Sequence, residues 1–341
     1  MLAGMWIKIT GRNAVAGGRR LVRRIGSAAL LSLAVGAVIG VDPALVGLST
    51  APLALHAVSF RGPLALASLT VGTAVAGTGS RHRWVAGVLL AAALTHGTIQ
   101  LRRGWAGPPI EHRADLVVVS LNTFGGAATP AQMASLVAGE LDSADAAMVA
   151  LPETSQLIAR QTADLLSTVG HRFQVFSTAE GPDPFGTTSL LVGSGLGAYR
   201  QVQAPRMLLG AVLAQPVNGI GPTLAAVHPG APTRQVGYRN WQRYVTTAVG
   251  LCRANSYSIV AGDFNATVDH RMLRGLQPCF DAATRAGRGA EGTWPARLPA
   301  VLATPIDHVL MNGRFSVLGT RTARVGTSDH RAVIARVSLP D

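Results

Sequence analysis

Three stretches of the first 101 residues contain no Asp, Glu, Lys or Arg: Ile25 to Val41, Pro63 to Gly79 and Trp84 to Leu101. Each comes near the roughly 20 apolar residues an α-helix needs to cross a bilayer. Core helices of a soluble domain can look the same, but three such runs lie close together. Basic residues also fall between them, where membrane proteins keep their cytoplasmic anchors. Of the 30 Lys and Arg residues in 341, eleven precede residue 111 and face a single acid, Asp42. Ten of the net +13 charges therefore belong to this region and three to the rest. Charge that flanks apolar spans reports orientation, so it does not by itself imply a nucleic-acid partner. The clusters Arg19, Arg20, Arg23, Arg24 and Arg81, His82, Arg83 are expected on the cytoplasmic side. That takes two crossings between them and leaves the C-terminal part outside. A further apolar stretch, Ala44 to Phe60, holds Pro52 and His56, and Asp42 to Gly62 is read as an external loop lying along the interface. The chain thus divides into a basic cytoplasmic N-terminus (1–24), a membrane region (25–101) with about three transmembrane helices at 25–41, 63–79 and 84–101, a linker (102–110) and a C-terminal domain (111–341).

Past Gly107, Pro108 and Pro109 the pattern changes to short β-branched runs alternating with longer helical stretches, as in a layered α/β domain. With 48% hydrophobic and 14% charged residues the chain is not disordered. Two cysteines exclude both a disulfide-dense mini-protein and a four-cysteine zinc module. Strands are expected at Leu116 to Leu121, Ala146 to Leu151, Phe173 to Phe176, Ser189 to Val192, Met207 to Leu213, Thr223 to Val227, Ser258 to Val260, Asp307 to Met311 and Ala332 to Val337. Helices are expected at Pro130 to Leu141 and Thr154 to Val169, the second with Leu157, Ile158, Leu165 and Val169 on one face.

The polar residues fall at the ends of these strands. Asn122 follows the first and Glu153 the second. His228 follows the strand ending at Val227, and Asp263 with Asn265 the one ending at Val260. Asp307 opens a strand, and Asp329 with His330 precede the last. Carboxylates, amides and imidazoles gathered at strand ends form the inventory of metal-assisted phosphoryl hydrolysis. Singly, Asn122 reads equally as a turn residue, Glu153 as the cap of the helix near Thr154, and His228 as a loop histidine. Gly262-Asp263-Phe264-Asn265-Ala266 is more specific, because an acid and an amide two apart beside a buried aromatic project the same way in an extended segment. Ser328-Asp329-His330, just before a strand, is likewise hard to assign to packing.

In order, LNTFGG, ALPETS, AVHPGAP, VAGDFNAT, IDHVLMNG and GTSDHRAV resemble the endonuclease/exonuclease/phosphatase superfamily, which includes DNase I-like nucleases, neutral sphingomyelinases and inositol-polyphosphate phosphatases. The resemblance covers about Glu111 to Asp341. It implies a DNase I-like four-layer α/β/β/α sandwich and Mg2+- or Mn2+-dependent phosphoester hydrolysis. By resemblance, Glu153 is the main metal ligand with Asn122 beside it, and Asp329 completes the metal environment. Asp263 and Asn265 orient water or serve proton transfer near the leaving group. His228 and His330 donate to phosphoryl oxygens, and Asp307 pairs with His330, which is assigned as general base. Two departures bear on substrate. DNA-repair members carry an acid where this chain has Phe124, and they favour a tyrosine where it has the His228 motif, so a repair substrate is disfavoured. Thr293-Trp294-Pro295 recurs in the family and reads either as cleft lining or as a packed turn.

Cys252 and Cys279 lie in the part placed outside the cytoplasm, where a disulfide between them can persist; two buried thiols are the alternative. Three readings of function stay open. The first is a multi-pass cell-membrane phosphodiesterase or phosphatase with an extracytoplasmic active site, working on a lipid-linked or cell-envelope phosphoester. The second is an extracellular nuclease, against which a domain charge of only +3 argues. The third is an inactive binding or scaffold module on the same fold. Substrate choice is expected to reside in loops such as Glu180 to Gly186 and Arg285 to Trp294.

Overall fold

Strands whose residues are apolar on both faces, such as LVVVS, must be covered on both sides, and that requirement organises most of this molecule. The computed structural model describes residues 26–43, 47–48, 51–78, 82–107 and 113–339. The chain forms two compact units, one of Met1–Ala57 with Pro63–Thr98 and one of Val58–Gly62 with Ile99–Asp341.

The N-terminal region is helical: α1 (Gly26–Ile39), α2 (Pro52–Ser59), α3 (Arg61–Gly77) and α4 (Arg83–Arg103). Within the first unit, Ala34 and Ala37 of α1 pack on Val85, Leu89 and Ala92 of α4. Among the described residues only α4, 21 residues long, is by itself long and apolar enough to cross a membrane. Of the first expected span, residues 26–39 form the apolar helix α1, while Ile25 and the basic cluster Arg19, Arg20, Arg23, Arg24 lie outside the described residues. The second falls on α3, which passes the same test only jointly with α2 across a 94° bend. Asp42 to Gly62 is correspondingly not all loop, since α2 lies inside it.

The second unit contains two six-stranded sheets. In the first, with order β11-β12-β1-β2-β4-β3, the strands are β1 (Ala114–Ser120), β2 (Ala144–Pro152), β3 (Phe173–Ser177), β4 (Thr188–Gly193), β11 (Ser316–Arg324) and β12 (Arg331–Ser338). In the second, with order β5-β6-β7-β8-β10-β9, they are β5 (Tyr199–Val202), β6 (Ala211–Pro216), β7 (Thr223–Val227), β8 (Ser258–Asp263), β9 (Phe280–Asp281) and β10 (Asp307–Asn312). Side-chain alternation along β1 explains the layering. Leu116 and Val118 face the second sheet and meet Ala226, Ile259, Ala261 and Val309. Val117 and Val119 face the opposite way, onto Met133, Val137, Ala163 and Leu166 of helices α5 (Pro130–Leu141) and α6 (Gln156–Thr168). On the far side of the second sheet, α7 (Tyr238–Arg253) lies against β8 and β10, and the short α8 (Ala282–Arg285) follows β9. The four-layer α/β/β/α arrangement follows.

Local chemistry sets the helix starts. Thr129 caps α5 in a reciprocal box with Gln132, with Pro130 at the first helical position. Ser155 caps α6 by accepting from the Ile158 amide. The cap of α6 is therefore Ser155 and not Glu153, which leaves the Glu153 carboxylate available for other work. The face expected of α6 is corrected: Leu157, Leu165 and Val169 are exposed, and Ala159, Thr162, Ala163 and Leu166 are buried. Small residues on that face let the helix sit close to a sheet already filled with Val and Leu. The strand expected from Met207 begins only at Ala211, and the preceding residues form loop.

Cys252 at the end of α7 and Cys279 before β9 form a disulfide, with Cα atoms 6.3 Å apart and 27 residues of separation. Cutting that loop by Cys252→Ser with Cys279→Ser is expected to lower unfolding free energy by about 3 to 4 kcal/mol. A denaturant midpoint equal to that of the oxidised wild type would refute this.

Candidate active site

Parallel pairing places the C-terminal ends of β1 and β2 side by side, and likewise those of β7 and β8. β10 and β12 run antiparallel to their neighbours, so their first residues return to the same edge, where Asp307 stands opposite Asp263 in register. All eight residues singled out by sequence sit on this edge of the two sheets.

The two sheets meet through side chains there. The Asn122 amide donates to Glu153 Oε1 and to Asp263 Oδ2, each at 3.1 Å, while its carbonyl accepts from the Phe124 amide at 2.9 Å. Asn122 thus serves a turn as well as the site. His228 Nε2 lies 3.5 Å from Asp263 Oδ2 and 3.9 Å from Glu153 Oε1. His330 Nδ1 is bound to Asp307 Oδ2 at 2.9 Å. Its Nε2 faces Asp263 Oδ2 at 3.7 Å and Asp329 Oδ1 at 3.9 Å. Asn265 is reached by a turn, because its φ is +49°, so the segment is not extended as the sequence suggested. Its amide N–H donates to Asp263 Oδ1 and its side-chain NH2 to the Pro229 carbonyl. Phe264 is buried as expected, edge-on to His308. Among the described residues the non-glycine positions with positive φ are Phe124, Glu153 and Asn265. All three lie in site loops, where such strain commonly collects.

Burial pushes the Glu153 carboxyl up, against the Asn122 hydrogen bond and the nearby histidines. Burial also opposes ionisation of Asp263, but His330 and His228 outweigh it and hold this carboxyl down to about 2. Burial would lower His330, yet Asp307 and Asp263 overcome it and raise the imidazole to about 10. Asp307 is raised by burial, with His330 opposing, and the proton of that pair resides on the imidazole.

Asp263, Asp307 and His330 each offer a ligand atom, all within 4.8 Å of one another. Asp307 Oδ1, Asp329 Oδ1 and His228 Nδ1 are buried without a hydrogen-bond partner. Carboxylate oxygens left unsatisfied beside an amide and imidazoles suit a metal ion, and an oxygen-rich set suits a hard one.

Several supporting residues carried little sequence signal. Trp294 Nε1 donates to Asp329 Oδ2 at 2.9 Å, with its ring 6.5 Å from that of His330. The tryptophan noted beside Thr293 therefore both borders the site and orients a carboxylate in it. Thr293 Oγ1 accepts from the Ile306 and Asp307 amides, and Ser328 Oγ donates to the Asn122 carbonyl. Trp241 Nε1 donates to the Asn265 carbonyl at 3.0 Å, a contact invisible without α7.

A sequence profile described as the Endonuclease/Exonuclease/phosphatase family matches residues 119–330. No curated protein sequence matches the chain. Among solved structures, humanized D. rerio TDP2 is 15% identical with a TM-score of 0.49, over 66% of this chain and 99% of that one. The human Nocturnin catalytic domain is 16% identical with a TM-score of 0.45, over 66% and 94%. The Bacteroides thetaiotaomicron mannosyl-6-phosphatase Bt3783 is 12% identical with a TM-score of 0.44, over 66% and 100%.

Proposed function

Because the chain belongs to the endonuclease/exonuclease/phosphatase family and is a metal-dependent phosphoester hydrolase, we propose that it is membrane-anchored, with an extracytoplasmic site acting on a lipid or cell-envelope phosphoester. The observation that carries the reading is the meeting of both sheets' carboxylates and imidazoles at one edge.

In this proposal Asn122, Glu153 and Asp329 would hold Mg2+ or Mn2+, and the Asp263, Asp307 and His330 cluster beside them handles water and protons. When bound, the ion supplies positive charge against the phosphoryl oxygens. His228 and His330 donate N–H groups to those oxygens as negative charge builds on them. Asp263 and Asn265 orient the attacking water, the first through Oδ2, which both imidazoles face. Asp307 fixes the His330 ring through Nδ1, so the exchangeable proton is the one on Nε2. Among the carboxylates alone this proton is retained to about pH 10. The base form of His330 therefore needs added positive charge among Asp263, Asp329 and Glu153, and until then the same proton serves as a donor.

The anchoring is supported by the apolar α4. The disulfide fits an oxidising compartment.

The test is to assay the purified full chain with Mg2+ or Mn2+ on a bis-aryl phosphate, a phospholipid and plasmid DNA. Turnover of the first two, abolished by chelation, is expected. Turnover confined to DNA would favour the nuclease. No turnover, with Asp263→Ala equal to wild type, would leave a scaffold.

A further inference from the structure

Two aromatic rings stand in the open beside the metal-binding edge. Phe124 is 48% exposed and Phe185 54% exposed, and their rings meet edge to face with centroids 6.2 Å apart. Neither belongs to a core cluster, and their loops are distant in sequence, one following β1 and the other joining β3 to β4. Both are held in place. Phe124 follows Asn122 by two residues, has φ +51° and gives its N–H to the Asn122 side chain. Phe185 gives its N–H to Asp183 Oδ1. Its ring lies on Gly125 so closely that a Cβ there would come within 2.4 Å of it, so only glycine admits the contact. Across the site, half-exposed Leu208 lies on Gly230, two residues past His228.

Exposed rings fixed by backbone turns at the mouth of a polar site are neither packing nor ordinary loop surface. Their charge setting narrows what they receive. Neither the loop from Leu121 to Thr129 nor that from Thr178 to Thr187 contains a Lys or Arg, and the second carries Glu180 and Asp183, both exposed. A polyanionic strand needs cations along its path and would be repelled there. An apolar chain attached to a single phosphoester would be received without penalty and would cover the rings.

The geometry points to Phe124 and Phe185 as the specificity-determining subsite for the hydrocarbon part of an amphiphilic phosphoester, an inference that rests on the phosphoesterase reading. The subsite places that chain beside Asn122 while the phosphoryl group meets the two imidazoles.

The test uses the full chain with Mg2+ and two esters of identical reacting chemistry, p-nitrophenyl methyl phosphate and p-nitrophenyl hexyl phosphate. The expected kcat/KM ratio, hexyl over methyl, is about 10-fold or more, since buried methylenes add up quickly. In Phe124→Ala with Phe185→Ala the ratio should fall towards 1, and in the corresponding double Leu variant most of it should return. A wild-type ratio near 1, or one that survives the Ala changes, overturns the subsite while leaving phosphoester hydrolysis intact. Absence of turnover on both esters overturns the phosphoesterase reading and the subsite with it. A single-stranded oligonucleotide cleaved with higher kcat/KM than the hexyl ester, and sensitive to the Ala changes, assigns the rings to base stacking and also overturns the proposal.

Discussion

Asp263→Asn is expected to lower kcat/KM by about 10³-fold, equivalent to about 4 kcal/mol of transition-state stabilisation. The substitution is nearly isosteric and β8 stays paired on both sides, so the fold should persist. The chemistry should not. Asp263 Oδ2 accepts from Asn122 and faces both His228 and His330, while Oδ1 accepts from the Asn265 amide. An asparagine side chain has only one acceptor oxygen, so one of these neighbours must face an NH2 group, donor against donor. The charge holding His330 protonated also falls. That imidazole, now raised to about 10, should titrate lower in the metal-free variant, which histidine NMR can read. The sign for stability follows. A histidine raised above its ordinary 6.5 stabilises the fold fully below that pH and loses the contribution as pH climbs towards 10. Metal-free wild type should therefore lose stability over that alkaline window, and Asp263→Asn should lose less. A variant retaining more than about a tenth of wild-type kcat/KM would remove Asp263 from the centre of the site.

Much of this site was legible because its residues sit where regular structure stops. Asn122, Glu153, His228 and Asp263 each follow a run whose apolar character announces a buried strand, and the strand ends fall on one edge of the two sheets once β1–β2 and β7–β8 pair in parallel. Less legible was whatever depends on non-local packing. α7 escaped notice because Gly237 gives it no side-chain cap and its polar face interrupts the apolar pattern. Trp241, Val245, Ala248, Val249 and Cys252 nonetheless form its buried stripe, so the helical period was present without a start signal. β11 lies at a sheet edge and is only partly buried, which leaves an irregular alternation that period-2 reading misses. The exposed Leu157 and Leu165 of α6 carry the same lesson in reverse, because hydrophobic residues are not obliged to be inside. At the N-terminus, composition registered apolar runs, but among the described residues α4 alone is by itself long enough to cross a bilayer, and α3 reaches that length only together with α2 across a bend.

A chain beginning at Glu111, where sequence pattern alone would start the domain, is expected to be less stable than the full chain by about 3 kcal/mol or more. For a domain of this size that corresponds to a fall in Tm of roughly 10 °C. The reason is that the catalytic unit includes Val58–Gly62 and the residues from Ile99 onward. Arg61 and Arg103 both pair with Asp269, whose side chain is 14% exposed, just past the segment that carries Asp263 and Asn265. Truncation removes both cations and leaves that carboxylate without them. It also removes the Ser59 carbonyl from Thr304 Oγ1 and Phe60 from the ring of Trp294, 6.2 Å away. Trp294 in turn holds Asp329, so the loss should reach the site as weaker metal binding, measurable by Mn2+ titration of the truncated and full chains. Asp269→Asn in the full chain supplies the control, because it removes the carboxylate with which both guanidinium groups pair and should reproduce much of the Tm loss with every residue present. If residues 111–341 melt within about 2 °C of the full chain, the Arg61 and Arg103 pairs contribute nothing net. Residues 111–341 would then be self-sufficient in stability without the chain before them.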